Sequence, residues 1–125
     1  MSPGKVLVVD DEPEVRQVLL EFLSSRGYDV SVASGGAEAV ALVESTRPDL
    51  VLLDVAMPGM DGVETLKRIV AIEPDLAVIM VTANADIGVT SKLLALGAVD
   101  YVPKPFDLDY LDQAVSIQVT AAQDR

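Results

Sequence analysis

Residues 49–54 read Asp49-Leu-Val-Leu-Leu-Asp54, an aliphatic run between two acids. The run is strand-sized and apolar at consecutive positions, so both of its faces must be covered. That pattern is typical of a parallel sheet with helices on both sides. Val6–Val9 and Leu76–Val81 share it, and Ala98–Val102 is also strand-sized. Asp29–Ala33 alternates polar and apolar residues, as an edge strand does.

The segments between these runs have helical periodicity. Pro13 suits the first turn of the first helix, Gly27 suits its end, and its inward face is predicted to comprise Val15, Val18, Leu19, Phe22 and Leu23. Further helices are predicted at about Gly36–Thr46, Asp61–Ile72, Ala85–Leu96 and Leu108–Ala121. The predicted inward residues are Val63, Leu66, Ile69 and Val70 in the third helix and Leu108, Leu111, Ala114 and Val115 in the fifth.

Strands and helices therefore alternate as (βα)5, which predicts a single doubly wound α/β domain. The common five-stranded solution is a parallel sheet in the order 2-1-3-4-5, and ligands bind beyond the carboxyl ends of its strands. The tail Gln118–Arg125 is expected to fray.

Composition excludes several classes of function. The chain has 20 acids against 9 bases and a net charge of −11, which argues against a nucleic-acid or anionic-lipid surface. It has neither cysteine nor histidine, which excludes zinc–thiolate sites and histidine-dependent catalysis. The longest apolar run, Leu76–Val81, is far shorter than the ~20 residues that span a bilayer. We expect a cytoplasmic protein.

Polar residues follow four of the predicted strands. Asp10, Asp11 and Glu12 follow the first, Asp54 ends the third, Thr82 ends the fourth and Lys104 follows the fifth. The topology places all of them at one edge of the sheet. Clustered carboxylates repel one another, and a hard divalent cation such as Mg²⁺ relieves the repulsion. A carboxylate is also a competent nucleophile towards phosphorus. A lysine together with a metal ion supplies the positive charge that stabilises a phosphoryl group during its transfer.

Each of these residues also has an ordinary structural interpretation. The acids of residues 10–12 could cap a helix, and Asp54 could form a turn. Thr82 alone is typical of a strand, and Lys104 alone is typical of a solvated surface. Their joint occurrence at four strand ends favours a functional site.

The chain resembles the receiver domain of two-component response regulators, which has the flavodoxin-like fold of the chemotaxis response regulator. The resemblance is carried by VLVVDDE at 6–12, DLVLLDVAMPGMDG at 49–62, VTA at 81–83, GAVDYV at 97–102 and KPFD at 104–107. It covers essentially the whole chain. It also implies a cis peptide bond before Pro105.

The resemblance implies a role for each matching residue. Asp54 would be the phosphoacceptor, and Lys104 would contact the phosphoryl group. Mg²⁺, with Mn²⁺ able to substitute, would be bound by Asp11, Asp54, the carbonyl of Ala56 and Asp10, the last directly or through water. Thr82 would be the switch hydroxyl and Tyr101 the aromatic residue coupled to it.

On this interpretation residues 1–125 form one receiver domain with no output domain in this chain. The expected partners are a sensor histidine kinase or phosphotransfer protein and a downstream output domain or protein. The protein would be a switch, not an enzyme in the usual sense, and would change its α4–β5–α5 surface when phosphorylated. Two positions that tune dephosphorylation in the family carry Ala56 and Asn84 here.

Three other functions fit the same fold. A flavin carrier needs a phosphate-binding loop after the first strand, where Asp10–Glu14 would repel a phosphate. An aspartyl-phosphate hydrolase usually has a second acid two residues after the nucleophile, where Ala56 stands. A receiver-like interaction module that is never phosphorylated would not need the complete set of acids, threonine and lysine.

Overall fold

The computed structural model describes residues 4–56, 61–83 and 87–124. Strands and helices alternate along the chain, as the periodicity predicts. The strands are β1 Lys5–Val9, β2 Asp29–Ala33, β3 Leu50–Asp54, β4 Ala77–Thr82 and β5 Asp100–Pro103. The helices are α1 Pro13–Ser25, α2 Gly36–Thr46, α3 Gly62–Ile72, α4 Ile87–Ala95 and α5 Leu108–Gln123.

The strands form one five-stranded sheet in the order β2-β1-β3-β4-β5, and every neighbouring pair is parallel. This confirms the predicted fold class and strand order. β2 is an edge strand, and its residues are more exposed than those of β1, β3 and β4. The consecutive apolar residues of β3 are buried because helices cover both faces of the sheet.

Alternate residues of the central strands enter two separate apolar layers. Leu7 and Leu53 pack in one layer with residues from α2, α3 and α4. Val8 and Leu52 pack in the other with residues from α1 and α5. The period of two along each strand therefore divides the core into two halves on opposite faces of the sheet.

Several details differ from the prediction. Val18 is 48% exposed, because the buried face of α1 centres on Leu19 and Leu23 and leaves Val18 at its edge. Leu108 is 37% exposed, since it begins α5 and the first buried residue of that helix comes later, at Leu111. The expected fraying is also wrong: α5 continues to Gln123, with Val119 only 2% exposed.

The fourth and fifth predicted elements shift slightly. α4 ends at Ala95, and the N–H of Ala98 donates to the carbonyl of Leu93 at 3.1 Å. Gly97, at a φ of +117°, supplies the left-handed conformation of this turn. β5 consequently begins at Asp100 instead of Ala98. The predicted start of α4 at Ala85 lies outside the described residues.

None of the helices in the described ranges combines the length and the apolar character needed to cross a membrane.

Candidate functional site

The carboxyl ends of β1, β3 and β4 deliver three buried polar side chains to one edge of the sheet. Asp10 follows β1 and is 2% exposed, Asp54 ends β3 and is 4% exposed, and Thr82 ends β4 and is 3% exposed. Lys104 follows β5 and donates its backbone N–H to the Thr82 carbonyl at 2.8 Å. The peptide bond between Lys104 and Pro105 is cis, as the resemblance implies.

The Lys104 ammonium group brings the acids together. Its Nζ lies 3.2 Å from Asp10 Oδ2, 3.4 Å from Asp54 Oδ2 and 3.5 Å from Glu12 Oε1. The ordinary interpretation of Lys104 as a solvated surface residue is therefore wrong: only 17% of its side chain is exposed. Lys104 and Asp10 are 94 residues apart in the chain, so this contact depends on the assembled sheet.

Asp10 is fixed by four hydrogen bonds. Its N–H donates to the Ala33 carbonyl at 3.1 Å, and its own carbonyl accepts from Arg16 Nη1 at 2.7 Å. Its Oδ1 accepts from the Glu12 N–H at 2.9 Å, and its Oδ2 accepts from Lys104. Every polar group of Asp10 thus has a partner, and these hydrogen bonds stabilise the turn between β1 and α1.

Asp11 has the opposite character. It is half-buried, and its carboxylate accepts no hydrogen bond from the residues that the structure describes. Glu12 occupies the N-cap position of α1, but its side chain makes no capping hydrogen bond. The interpretation of residues 10–12 as a simple helix cap is therefore wrong, because the N-cap residue itself makes no capping hydrogen bond.

The donor set fits a hard divalent cation. One carboxylate oxygen from each of Asp10, Asp11, Glu12 and Asp54 lies within 4.8 Å of all the others. Carboxylate oxygens are the ligands that Mg²⁺ and Mn²⁺ prefer, and Mg²⁺ keeps several waters when one face of a site is open. The Ala56 N–H donates to Asp54 Oδ1 at 3.3 Å, so the backbone at Ala56 lies next to this cluster.

The environment shifts the pKa of two groups in the cluster. Burial raises the pKa of Asp54 above its ordinary value, and the charge of Asp10 adds to this, while Lys104 and the Ala56 N–H partly offset it. Burial lowers the pKa of Lys104, but hydrogen bonding to Asp10 and the charges of Asp10, Asp54 and Glu12 outweigh it, so the net change is upward. The acids keep the lysine charged, and the crowding opposes ionisation of Asp54.

Three members of the cluster, Glu12, Asp54 and Lys104, line an open pocket of about 330 Å³. The pocket walls include Asp54, Ala56, Thr82, Lys104 and Val89. A group entering this pocket from solvent therefore meets the Asp54 carboxylate, the Lys104 ammonium and the β4 end at Thr82.

Tyr101 lies on the same sheet face as Thr82. Tyr101 pairs with Met80 and Pro103 pairs with Thr82 in the β4–β5 register. Thr82 and Met80 are two residues apart, so their side chains point to one face, and Tyr101 is a diagonal neighbour of Thr82 on that face. The Tyr101 side chain is half-buried and packs against the layer formed with α2, α3 and α4.

Glu12, expected at this edge of the sheet, contacts Lys104. Two contacts that contribute to the geometry were not anticipated: Arg16 donates to the Asp10 carbonyl, and Gly62 donates its N–H to the Val55 carbonyl at 2.9 Å. Arg16 left a signal in the sequence, because a cation near the positive end of a helix is unfavourable without a specific partner. Residues Met57, Pro58, Gly59, Met60 and Asn84 lie outside the described part of the chain.

A model of the response regulator receiver domain family matches residues 6–116, and the chain belongs to that family. It is therefore a signalling domain, a receiver domain of two-component systems, and this family implies signalling that depends on phosphorylation.

Similar proteins differ in how much of their length the chain covers. Sporulation initiation phosphotransferase F of Bacillus subtilis is 41% identical over 115 residues, which are 92% of this chain and 93% of that protein. The response regulator MprA of Mycolicibacterium vanbaalenii is 43% identical over 109 residues, 87% of this chain. The chain spans about half of MprA, 47% of its length.

Solved structures agree with this assignment. The receiver domain of the Francisella response regulator 1452 has a TM-score of 0.89 at 31% identity, covering 94% of this chain and 98% of that one. A CheY-like receiver domain from Methanospirillum hungatei has a TM-score of 0.90 at 28% identity, covering 96% of both chains.

Proposed function

We propose that this protein is a switch in which Asp54 accepts a phosphoryl group from a phosphohistidine of a sensor kinase or phosphotransfer protein. The observation that carries the proposal is the contact of Lys104 Nζ with both Asp54 and Asp10, beside an open pocket that Asp54 and Lys104 line. A nucleophilic carboxylate, a cation beside it and access from solvent are the parts that phosphoryl transfer requires.

In the transfer, an oxygen of the ionised Asp54 carboxylate attacks phosphorus. The new O–P bond forms as the N–P bond of the donor breaks, and the leaving imidazole keeps the electron pair and takes a proton from solvent. Lys104, already 3.4 Å from Asp54 Oδ2, is placed to contact an oxygen of the arriving phosphoryl group. Thr82, at the end of the neighbouring strand, can donate its hydroxyl hydrogen to another.

Asp10, Asp11, Asp54 and the Ala56 carbonyl are the groups that we propose to hold Mg²⁺, with Mn²⁺ as a substitute. When bound, the metal supplies positive charge that offsets the acids and the incoming phosphoryl oxygens. Asp11 is the ligand readiest to bind directly, because its carboxylate has no partner among the described residues. Asp10 has both carboxylate oxygens engaged, which favours contact through water.

Phosphorylation adds about −1.5 to −2 of charge and strong acceptor oxygens beside Thr82. We expect the Thr82 side chain to move towards them and Tyr101, its diagonal neighbour, to follow. The surface formed by α4, β5 and α5 would then change, and an output domain or protein would recognise it. The domain catalyses only its own phosphoryl transfer and dephosphorylation. Its net charge of −11 argues against direct binding of nucleic acid or anionic membranes.

Acetyl phosphate with Mg²⁺ tests the acceptor without knowledge of the kinase. Intact-mass analysis should show one added phosphoryl group on the wild type and none on Asp54→Asn. Asp49→Asn is a matched control at the opposite end of β3, where Asp49 Oδ2 accepts from the Lys5 N–H at 2.9 Å. The control should be labelled like the wild type.

Equal labelling of Asp54→Asn would place the acceptor elsewhere. Absence of labelling in the folded wild type with acetyl phosphate would instead favour an interaction module that is not phosphorylated.

A further inference from the structure

A groove separate from the phosphoacceptor pocket lies between β5 and the start of α5. Its volume is about 530 Å³, and its walls are Asp100, Tyr101, Pro103, Pro105, Asp107 and Tyr110. The groove thus has a carboxylate from β5, a carboxylate from the start of α5 and two tyrosine rings.

The two carboxylates are held in place by neutral donors. Asp100 Oδ1 accepts from the Tyr101 N–H at 2.8 Å. Asp107 is the N-cap of α5, and its Oδ1 accepts from the N–H groups of Asp109 and Tyr110 at 3.0 and 3.2 Å. Partial burial, followed by the negative charge of Asp100, raises the pKa of Tyr110. Asp100 therefore lies close enough to the Tyr110 hydroxyl to influence it.

Among the described residues, neither carboxylate has a cationic partner. Within residues 4–56, 61–83 and 87–124, no lysine or arginine forms an ion pair with Asp100 or Asp107. The nearby Lys104 is directed to Asp10 and Asp54 instead. Residues 105–124 contain no lysine or arginine, so α5 itself offers none.

We propose that this groove binds a lysine or arginine side chain of a partner protein, with arginine preferred. Two carboxylates attract a cation, and tyrosine faces bind a guanidinium group by cation–π contact. Pro103 and Pro105, which line the groove, have no backbone N–H that would attract an anion. A second copy of this chain is a poorer occupant, because its own α5 face carries no base.

This inference rests on the proposed function at one point only: it takes the bound protein to be the output partner that recognises the switch. Tyr101 is both a wall of the groove and the proposed switch residue, so its movement would alter the groove. The chemistry of the groove itself can be measured on the unphosphorylated protein.

The test uses the peptide acetyl-Gly-Ser-Arg-Ser-Gly-amide and the same peptide with citrulline, which has the shape of arginine without its charge. Amide and tyrosine-ring NMR shifts of the unphosphorylated, metal-free protein are followed during titration. At about 0.15 M salt, charge attraction beyond roughly 8 Å is largely screened. We expect the arginine peptide to shift Tyr101, Tyr110 and their neighbours, and the citrulline peptide to bind more weakly.

Asp100→Asn and Asp107→Asn each remove a charge and keep the side-chain oxygen that accepts the backbone N–H groups. Each should weaken binding of the arginine peptide by about two- to five-fold, as expected for a partly exposed ion pair. Asp109→Asn is the matched control, since it removes the same charge from α5 at a residue that does not line the groove. It should leave the affinity unchanged.

Equal binding of the two peptides would overturn the proposal, because it would show that the positive charge is not recognised. Equal weakening by Asp109→Asn would also overturn it, because it would indicate attraction to the net charge alone. NMR shifts of the groove residues that depend on protein concentration and not on peptide would also overturn the proposal, because they would indicate self-association. Failure of Asp54 to become phosphorylated would refute the proposed function and leave these titrations unaffected.

Discussion

Gly62→Ala should impair both stability and phosphorylation, because the backbone at Gly62 lies against the backbone of Asp54, the proposed phosphoacceptor, and Val55. A Cβ built on Gly62 would lie 2.1 Å from the Asp54 carbonyl oxygen, 2.6 Å from Val55 Cα and 2.7 Å from the Val55 carbonyl oxygen. All three contacts are with backbone atoms, so no side-chain rotation can relieve them. Reaching the 3.4 Å of ordinary contact requires the start of α3 and the end of β3 to separate by about 1.3 Å.

Overpacking of this kind costs about 1–3 kcal/mol. For a domain of this size, that loss corresponds to a decrease in Tm of roughly 4–15 °C. The same shift displaces the Asp54 carboxylate from Lys104, and a misplacement of about 1 Å can slow a reaction on the order of 100-fold. Labelling by acetyl phosphate, timed by intact-mass analysis at a temperature where the variant is folded, measures the second effect.

Gly35→Ala is the control, because Gly35 also precedes a helix but a Cβ there would meet nothing within 4 Å. It should cost less than about 1 kcal/mol, for a weaker N-cap, and leave the labelling rate unchanged. A Gly62→Ala variant with the Tm and labelling rate of the wild type would refute the reasoning. It would show that the end of β3 accommodates the added methyl group without loss of stability.

Three further predictions concern the same site. Asp54→Asn should stabilise the metal-free protein at pH 7. Burial raises the pKa of Asp54, so the folded protein loses stability as pH rises through that pKa and the buried carboxylate becomes charged, whereas an asparagine stays neutral. Urea unfolding should show that the difference in stability between variant and wild type disappears below the ordinary pKa of 3.8. Arg16→Met should lower the free energy of unfolding by about 1–2 kcal/mol, because it removes a charged donor to the Asp10 carbonyl. Arg68→Met, which breaks an exposed ion pair with Glu64, should lower it by no more than about 0.5 kcal/mol, and urea unfolding measures both. Equal losses would mean that the Arg16 contact is not specific. Ala56→Asn should shorten the lifetime of phosphorylated Asp54 several-fold, because an amide at the pocket wall can hold the attacking water; loss of mass label after removal of the donor measures it, and an unchanged lifetime would contradict it.

The convergence of Asp10, Asp54 and Lys104 could be predicted from the sequence. Aliphatic runs that are apolar at consecutive positions predict parallel strands, and the carboxyl ends of parallel strands share one edge. Once the topology has been predicted from these runs, the residues at the carboxyl ends of the strands must lie close together. The resemblance to receiver domains added roles for these residues that the pattern alone could not assign.

The remaining details depend on tertiary packing. The periodicity of α1 predicts a helix but not its rotation against the sheet, so Val18 was expected inside and lies outside. The reach of Arg16 back to Asp10, and of Glu12 to Lys104, depends on side-chain torsions that no spacing rule fixes. The start of β5 moved because Gly97 and Ala98 close the end of α4.

The large sequence separation within the site also affects when the protein can act during its synthesis. Lys104 meets Asp10 across 94 residues and Asp54 across 50. A growing chain that has reached β4 carries Asp54, the proposed phosphoacceptor, but not the ammonium group of Lys104 beside it. Because distant contacts form only after the intervening chain has been ordered, the site is assembled with the last strand. On the proposed function, we therefore expect that a ribosome-bound or truncated chain lacking β5 does not accept a phosphoryl group, and that this ability arrives only with the finished sheet.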